Sequence, residues 1–196
     1  MDTLIFATNN QHKVDEIRLV LSSRFNIITL KEAGIDIDIP EPHDTLEANA
    51  AEKSSVIHKL TQKNCFSEDT GLEVEALNGE PGVKSARYAG DSRHFDNNID
   101  KLLQNLKQQN NRNARFKTVI SLILDGNEFF FEGICPGTIT IDKRGSNGFG
   151  YDSVFIPDGS IKTFAQMTME EKSAFSHRKK AMEKLVGFLS FRLANQ

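Results

Sequence analysis

The fold reading turns on Thr3-Leu4-Ile5-Phe6-Ala7, followed at once by Thr8-Asn9-Asn10 and then by Val14, Ile17, Val20 and Leu21. The first run is short, apolar and rich in β-formers, as a buried strand is. Thr8, Asn9 and Asn10 are helix N-cap types, because their short side chains accept from orphan N–H groups. The spacing of the next four apolar residues predicts a helix. The chain therefore opens strand, polar turn, helix, which is how a layered α/β fold begins.

Working outward, Ile27 to Leu30 reads as a second strand. A helix is predicted over Asp44 to Leu60, with Asp44 and Glu47 at capping-box spacing and an apolar face of Leu46, Ala50, Ile57 and Leu60. Leu72, Val74 and Ala76 alternate with Glu73 and Glu75, as in a half-exposed strand. Ile99, Leu102, Leu103 and Leu106 mark an amphipathic helix. Phe116 to Leu124 and Glu128 to Glu132 read as strands joined by Asp125-Gly126-Asn127, with Ile139 and Ile141 continuing the sheet. Thr168 and Glu171 form a second capping-box match, and Ala181, Leu185, Phe188 and Leu189 place the last helix. Strand–helix units, a central hairpin and late helices together predict an α/β fold: a long mixed β-sheet flanked by helices.

The chain has 196 residues, 38% of them hydrophobic, enough for one compact domain spanning 1–196, or two small lobes around a shared cleft. Cys65 and Cys135 lie far apart, without a CxxC partner, and read as free thiols in a reducing compartment. The N-terminal MDTLIFATNN lacks a basic region and a long apolar run, so the expectation is a cytoplasmic protein with no membrane partner. A net charge of -3 argues against a nucleic-acid partner.

Four polar segments interrupt the apolar pattern. Thr8-Asn9-Asn10-Gln11-His12-Lys13 stands at a helix start, where N–H groups and the helix dipole favour phosphate; without GxxxxGK[ST] it is not a P-loop. Ser67-Glu68-Asp69-Thr70-Gly71 reads as an acidic turn able to offer oxygen ligands to a hard cation and a base to water, and Glu41 between Pro40 and Pro42 adds a further acid. Gly145-Ser146-Asn147-Gly148-Phe149-Gly150-Tyr151-Asp152 combines backbone freedom with flat rings and an acceptor. Glu170 to Lys180 gathers Lys172, His177 and Arg178, donors suited to carbonyls or phosphates. Each has an ordinary alternative: a capped helix, an acidic turn, a flexible loop, a solvated helix end. Taken jointly they point to a metal-dependent enzyme acting on nucleotide phosphates.

These segments resemble the inosine triphosphate pyrophosphatase family, the XTP/dITP diphosphatases. The matching residues are Ala7-Thr8-Asn9-Asn10 with Lys13 and Glu16, Asn49-Ala50 with Lys53, Glu68-Asp69-Thr70-Gly71-Leu72, and Pro81-Gly82. They continue through Ser85-Ala86-Arg87-Tyr88, Gly148-Phe149-Gly150-Tyr151-Asp152, and Glu171-Lys172-Ser173 to Ser176-His177-Arg178. Asn147 and Ser153 depart from the Gly and Pro often found there in relatives. The resemblance implies two lobes with a central substrate cleft, a homodimer, and Mg²⁺-dependent hydrolysis of dITP, ITP or XTP to the monophosphate and pyrophosphate. It implies Asp69 as the catalytic acid, with Asp69, Glu41 and Glu68 at the metal. Thr8, Asn9, Asn10, Gln11, His12, Lys13 and Lys53 would bind the triphosphate, and Thr70 would donate to substrate. Phe149, Gly150, Tyr151, Asp152, Lys172, His177 and Arg178 would form the base pocket. Two rival readings are a Maf-like nucleotide pyrophosphatase of other base preference and a nucleotide-binding module without turnover. The third and fourth segments argue against the first rival, and the acids at Glu68 and Asp69 against the second.

Overall fold

The computed structural model describes residues 3–21, 26–92 and 94–194. Its strands are β1 (Thr3–Phe6), β2 (Asn26–Thr29), β3 (Cys65–Val74), β4 (Pro81–Gly82), β5 (Asn113–Leu124), β6 (Asn127–Ile139) and β7 (Phe155–Pro157). The helices are α1 (Gln11–Leu21), α2 (Leu46–Thr61), α3 (Phe95–Asn105), α4 (Met169–Ser173) and α5 (His177–Ala194). The seven strands form one mixed sheet in the order β2-β1-β3-β5-β6-β7, with β4 paired to β3.

The chain forms two compact units. The first comprises Met1–Asp69, Thr118–Gly133 and Arg178–Gln196. Here β1 lies parallel to both β2 and β3, with Ile5 opposite Cys65 and Phe6 opposite Phe66. Side chains alternate along a strand, so the two parities build separate cores. Leu4, Phe6 and Phe66 pack with Val14 and Ile17 of α1 and with Ala181, Met182 and Leu185 of α5. Ile5, Ala7 and Cys65 face the other way, onto Ile57 of α2 and onto Ile39 in the segment that precedes this helix. The Phe6 and Phe66 rings stack at 4.5 Å, and each fully buried ring contributes roughly 1.5–3 kcal/mol. The side chains of Val20 and Leu21, expected on the α1 stripe, lie outside the described residues.

Helix α2 begins one residue later than its spacing predicts. Thr45, not Asp44, is the N-cap, and its hydroxyl accepts from the Ala48 N–H at 3.1 Å. Its buried face also differs. Leu60 is 58% exposed, while Asn49, Lys53 and Ser54 are buried beside Leu46, Ala50 and Ile57.

The second unit comprises Thr70–Lys117 and Ile134–His177. Within it β4 runs antiparallel to β3, and β7 antiparallel to β6. Its core joins Leu72, Val74, Leu102, Phe116, Val154, Phe155 and Phe164. Strand β3 ends at Val74, so Ala76 sits in a 3₁₀ turn at Glu75–Leu77 rather than in the strand. Ile141 does not continue the sheet either: β6 ends at Ile139, and Ile141 is 73% exposed. The expected hairpin turn is present between β5 and β6, where Asp125 and Gly126 both take positive φ, as a two-residue type I′ loop needs.

Candidate active site

The segment Ser67 to Gly71 is not a turn. It is the middle of β3, and Ser67, Glu68 and Asp69 are all buried. The consequence is geometric. Adjacent residues on a strand point to opposite faces, so Glu68 and Asp69 look in opposite directions. Glu68 has the parity of Phe66 and meets α1 and α5; Asp69 has the parity of Cys65 and meets α2.

On the first face, Glu68 is held at both oxygens. Oε1 lies 2.9 Å from Lys13 Nζ and 3.1 Å from Arg178 Nη2, and Oε2 lies 2.7 Å from Arg178 Nε. Arg178 Nη1 also donates to Glu16 Oε2. The Glu68 side chain is wholly buried, which alone would raise its pKa; the Arg178 and Lys13 charges overcome this and hold it far below the carboxylate range. For Arg178, burial works against the charge, and Glu68 and Glu16 keep it firmly charged.

On the other face, Lys53 Nζ reaches from α2 to Glu41 Oε1 at 2.5 Å and to Asp69 Oδ1 at 3.3 Å. Asp69 Oδ2 is buried and has no hydrogen-bond partner among the described residues. Burial raises the Asp69 pKa above its usual value; Lys53 and Lys13 oppose the rise and Glu41 adds to it. The backbone that carries Glu41 is clamped from two sides. Asn9 Nδ2 donates to the Ile37 carbonyl at 2.9 Å. Asn49 accepts from the His43 N–H at 2.9 Å and donates to the His43 carbonyl at 3.1 Å.

At the start of α1, Thr8 Oγ1 accepts from the Asn10 N–H at 3.2 Å, and Asn10 Oδ1 faces the Lys13 N–H at 3.4 Å. These side chains form the expected polar cap. Gln11 and His12 are exposed, with Gln11 Nε2 donating to Asp15.

The second unit holds a separate constellation. Asp152 Oδ2 accepts from Lys172 Nζ at 2.7 Å and from the Phe149 N–H at 3.0 Å. The Lys172 ammonium lies 5.1 Å from the half-buried Phe149 ring and 5.3 Å from that of Phe164. Gly148 has φ +78, and a Cβ there would strike the Asp152 carboxylate, so the glycine is required for this turn. Gly150 also takes positive φ. Tyr151 is buried, donating to the Ser85 carbonyl at 2.9 Å, and burial pushes its phenol pKa up. Asn147 Nδ2 ties the loop to the Met167 carbonyl at 3.1 Å. His177 stacks on Phe116 at 4.7 Å. Thr70 is half-buried in β3.

Nine of the predicted site residues fall into three groups: Glu68 with Lys13 and Arg178; Asp69 with Glu41 and Lys53; and Phe149 with Asp152 and Lys172. Arg178 and His177, adjacent in sequence, belong to different units. Glu16 and Asn49 join the site although the sequence pattern gives neither a role. A usable signal was there: an asparagine next to Ala50 on the apolar stripe of a helix marks a buried amide with backbone to hold.

A hard divalent cation commonly takes one or two carboxylates together with substrate phosphates. Asp69 fits this through its partnerless buried oxygen, and Glu41 fits as the second acid on the same ammonium. Glu68 does not fit, because its oxygens are held by two cations on the opposite face. Among the described residues no three His, Cys, Asp or Glu side chains gather as a metal cluster.

The Ham1 family model matches residues 4–188. A dITP/XTP pyrophosphatase of Porphyromonas gingivalis is 51% identical over 190 residues, covering 96% of this chain and 98% of its own. One of Flavobacterium johnsoniae is 46% identical over 187 residues, covering 95% and 97%. Among solved structures, the Staphylococcus aureus Ham1 protein superposes with a TM-score of 0.89 at 39% identity, covering 97% of this chain and 100% of that one. By the family match over most of its length and by these identities, the chain belongs to the Ham1 family.

Proposed function

We propose that this chain is a nucleoside triphosphate diphosphatase that converts dITP, ITP and XTP to the monophosphate and pyrophosphate. The observation that carries the reading is Asp69: a buried carboxylate with one oxygen on Lys53 and the other without a partner among the described residues. A pure binder has no use for a buried, half-satisfied acid, since the unmet oxygen costs stability. A general base does, because burial raises its pKa and makes it a better proton acceptor.

Mg²⁺, held by Asp69 and Glu41 with the substrate phosphates, would polarise the phosphoryl group and acidify water. Asp69 takes a proton from the water that attacks the α-phosphorus. Lys13, oriented by Glu68, and Lys53 offset the charge that builds on the departing pyrophosphate. The N–H groups at the start of α1 favour the same anion. The Phe149 ring stacks on the base. Lys172, fixed by Asp152, offers a donor beside that ring. A 6-keto oxygen accepts from it, whereas the 6-amino group of adenine does not. A mismatch of this type discriminates by ~10⁴ or more. Guanine, which shares the 6-keto oxygen, has to be rejected at its 2-amino group instead. Homodimeric assembly and a cytoplasmic setting complete the proposal; no helix among the described residues is long and apolar enough to cross a membrane.

A nucleotide panel with phosphate and pyrophosphate assayed separately tests the reading. The expected result is pyrophosphate from dITP, ITP and XTP, with ATP and GTP far slower. Inorganic phosphate alone would refute α–β cleavage.

A further inference from the structure

We propose that Lys53 is an internal counter-cation for the Glu41–Asp69 pair, releasing both carboxylates when a divalent cation binds them and turning its ammonium to the triphosphate. The inference rests on the reading above, in which these two acids take the metal.

The Lys53 side chain is only 8% exposed, and a lysine is almost never this buried unless paired. Its ammonium contacts both acids, at 2.5 Å on Glu41 and 3.3 Å on Asp69. Two carboxylates turned to one place repel each other, so a cation between them is needed for the pair to persist as anions. Lys53 supplies that cation, but incompletely. The contact to Asp69 is the long one, and Asp69 Oδ2 is buried without a hydrogen-bond partner. A purely structural buried ion pair satisfies its oxygens. This one leaves an acceptor idle.

The acids do not depend on Lys53 to stay where they are. Asp69 is fixed by the β3 backbone. The segment carrying Glu41 is pinned by Asn9 at Ile37 and by Asn49 at both backbone groups of His43. Lys53 is the flexible member, a four-carbon stem on α2. It is therefore the member that can leave. Its departure couples the two halves of the phosphate chemistry: the cation that claims the carboxylates frees an ammonium for the anion.

The competition is measurable with Mg²⁺ alone, without nucleotide and without turnover. Thermal unfolding of the full chain is followed against MgCl₂, with KCl at matched ionic strength as control, for wild type, Lys53→Met and Lys53→Arg. Lys53→Met should melt lower without Mg²⁺, and its half-saturating Mg²⁺ concentration should fall at least about tenfold below that of wild type. Lys53→Arg, which keeps the cation, should track wild type. A Lys53→Met protein that needs as much Mg²⁺ as wild type overturns the proposal. Should Lys53→Met not fold, succinimidyl-ester labelling of wild type serves: Lys53 should be protected without Mg²⁺ and labelled with it, and unchanged labelling overturns the proposal. These results are independent of the nucleotide panel, so failure of the counter-cation role and failure of the proposed activity are told apart.

Discussion

Asp69 and Glu68 are neighbours in sequence and opposites in chemistry. Glu68 is saturated by cations and held far below the carboxylate range. Asp69 is under-satisfied and raised. The raised group is the better proton acceptor, so in the proposed reaction Asp69 is the base and Glu68 a fixed anion beside Lys13. Asp69→Asn keeps the volume and removes the basicity. Turnover should fall by about 10²–10⁴, while nucleotide binding by calorimetry persists. Near wild-type kcat in that variant would remove Asp69 from the reaction.

At the scale of elements, β3 is the organising piece. Its polar middle is tolerated because each side chain finds a partner from a distant helix: Ser67 at the Ala50 carbonyl, Glu68 at α1 and α5, Asp69 at α2. Beyond the acids β3 closes tightly on β4. A Cβ at Gly71 would lie 2.6 Å from the Gly82 carbonyl oxygen, which is backbone and cannot rotate away. Ser85 also donates to the Gly82 carbonyl there and accepts from the Leu72 N–H. Gly71→Ala should therefore cost about 1–3 kcal/mol in urea unfolding. A change under a few tenths would mean that β4 is free to shift. The same strand shows what a sequence can reveal. The Asp125-Gly126 hairpin and the Thr168–Glu171 capping box were legible, because both rest on contacts within four residues. Ser67 to Gly71 looked like a turn, because what holds it as strand lies in residues such as Lys13, Ala50 and Arg178. Arg178 was legible only in part: the sequence offers it as a donor, and only the packing of α5 shows Glu68 and Glu16 among its partners.

For the whole molecule, the shifted acids set how stability varies with pH. Glu32 is held at about 2 by the Thr29 N–H and by Arg18, and Glu68 lower still by Arg178 and Lys13. Groups depressed in the folded state stabilise it above their unfolded value, near 4.5, and that stability is lost as pH falls through the folded value. Asp69 has the opposite sign: its raised pKa means the folded chain binds a proton more readily than the unfolded one, so mild acid favours folding at that site. Lys53, raised despite its burial, contributes up to its ordinary value and loses the contribution as pH climbs beyond it. Glu32 and Glu68 should therefore give the stability profile an acid limb that starts near 4.5. Glu32 isolates one component of that limb, because its carboxylate takes part in none of the proposed chemistry. At pH 7 Glu32→Gln should lower the urea midpoint. Between pH 4.5 and about 2 the gap from wild type should close, because wild type there loses what the variant never had. A gap of constant size across that window would mean that Glu32 acts through its shape and hydrogen bonds rather than its charge.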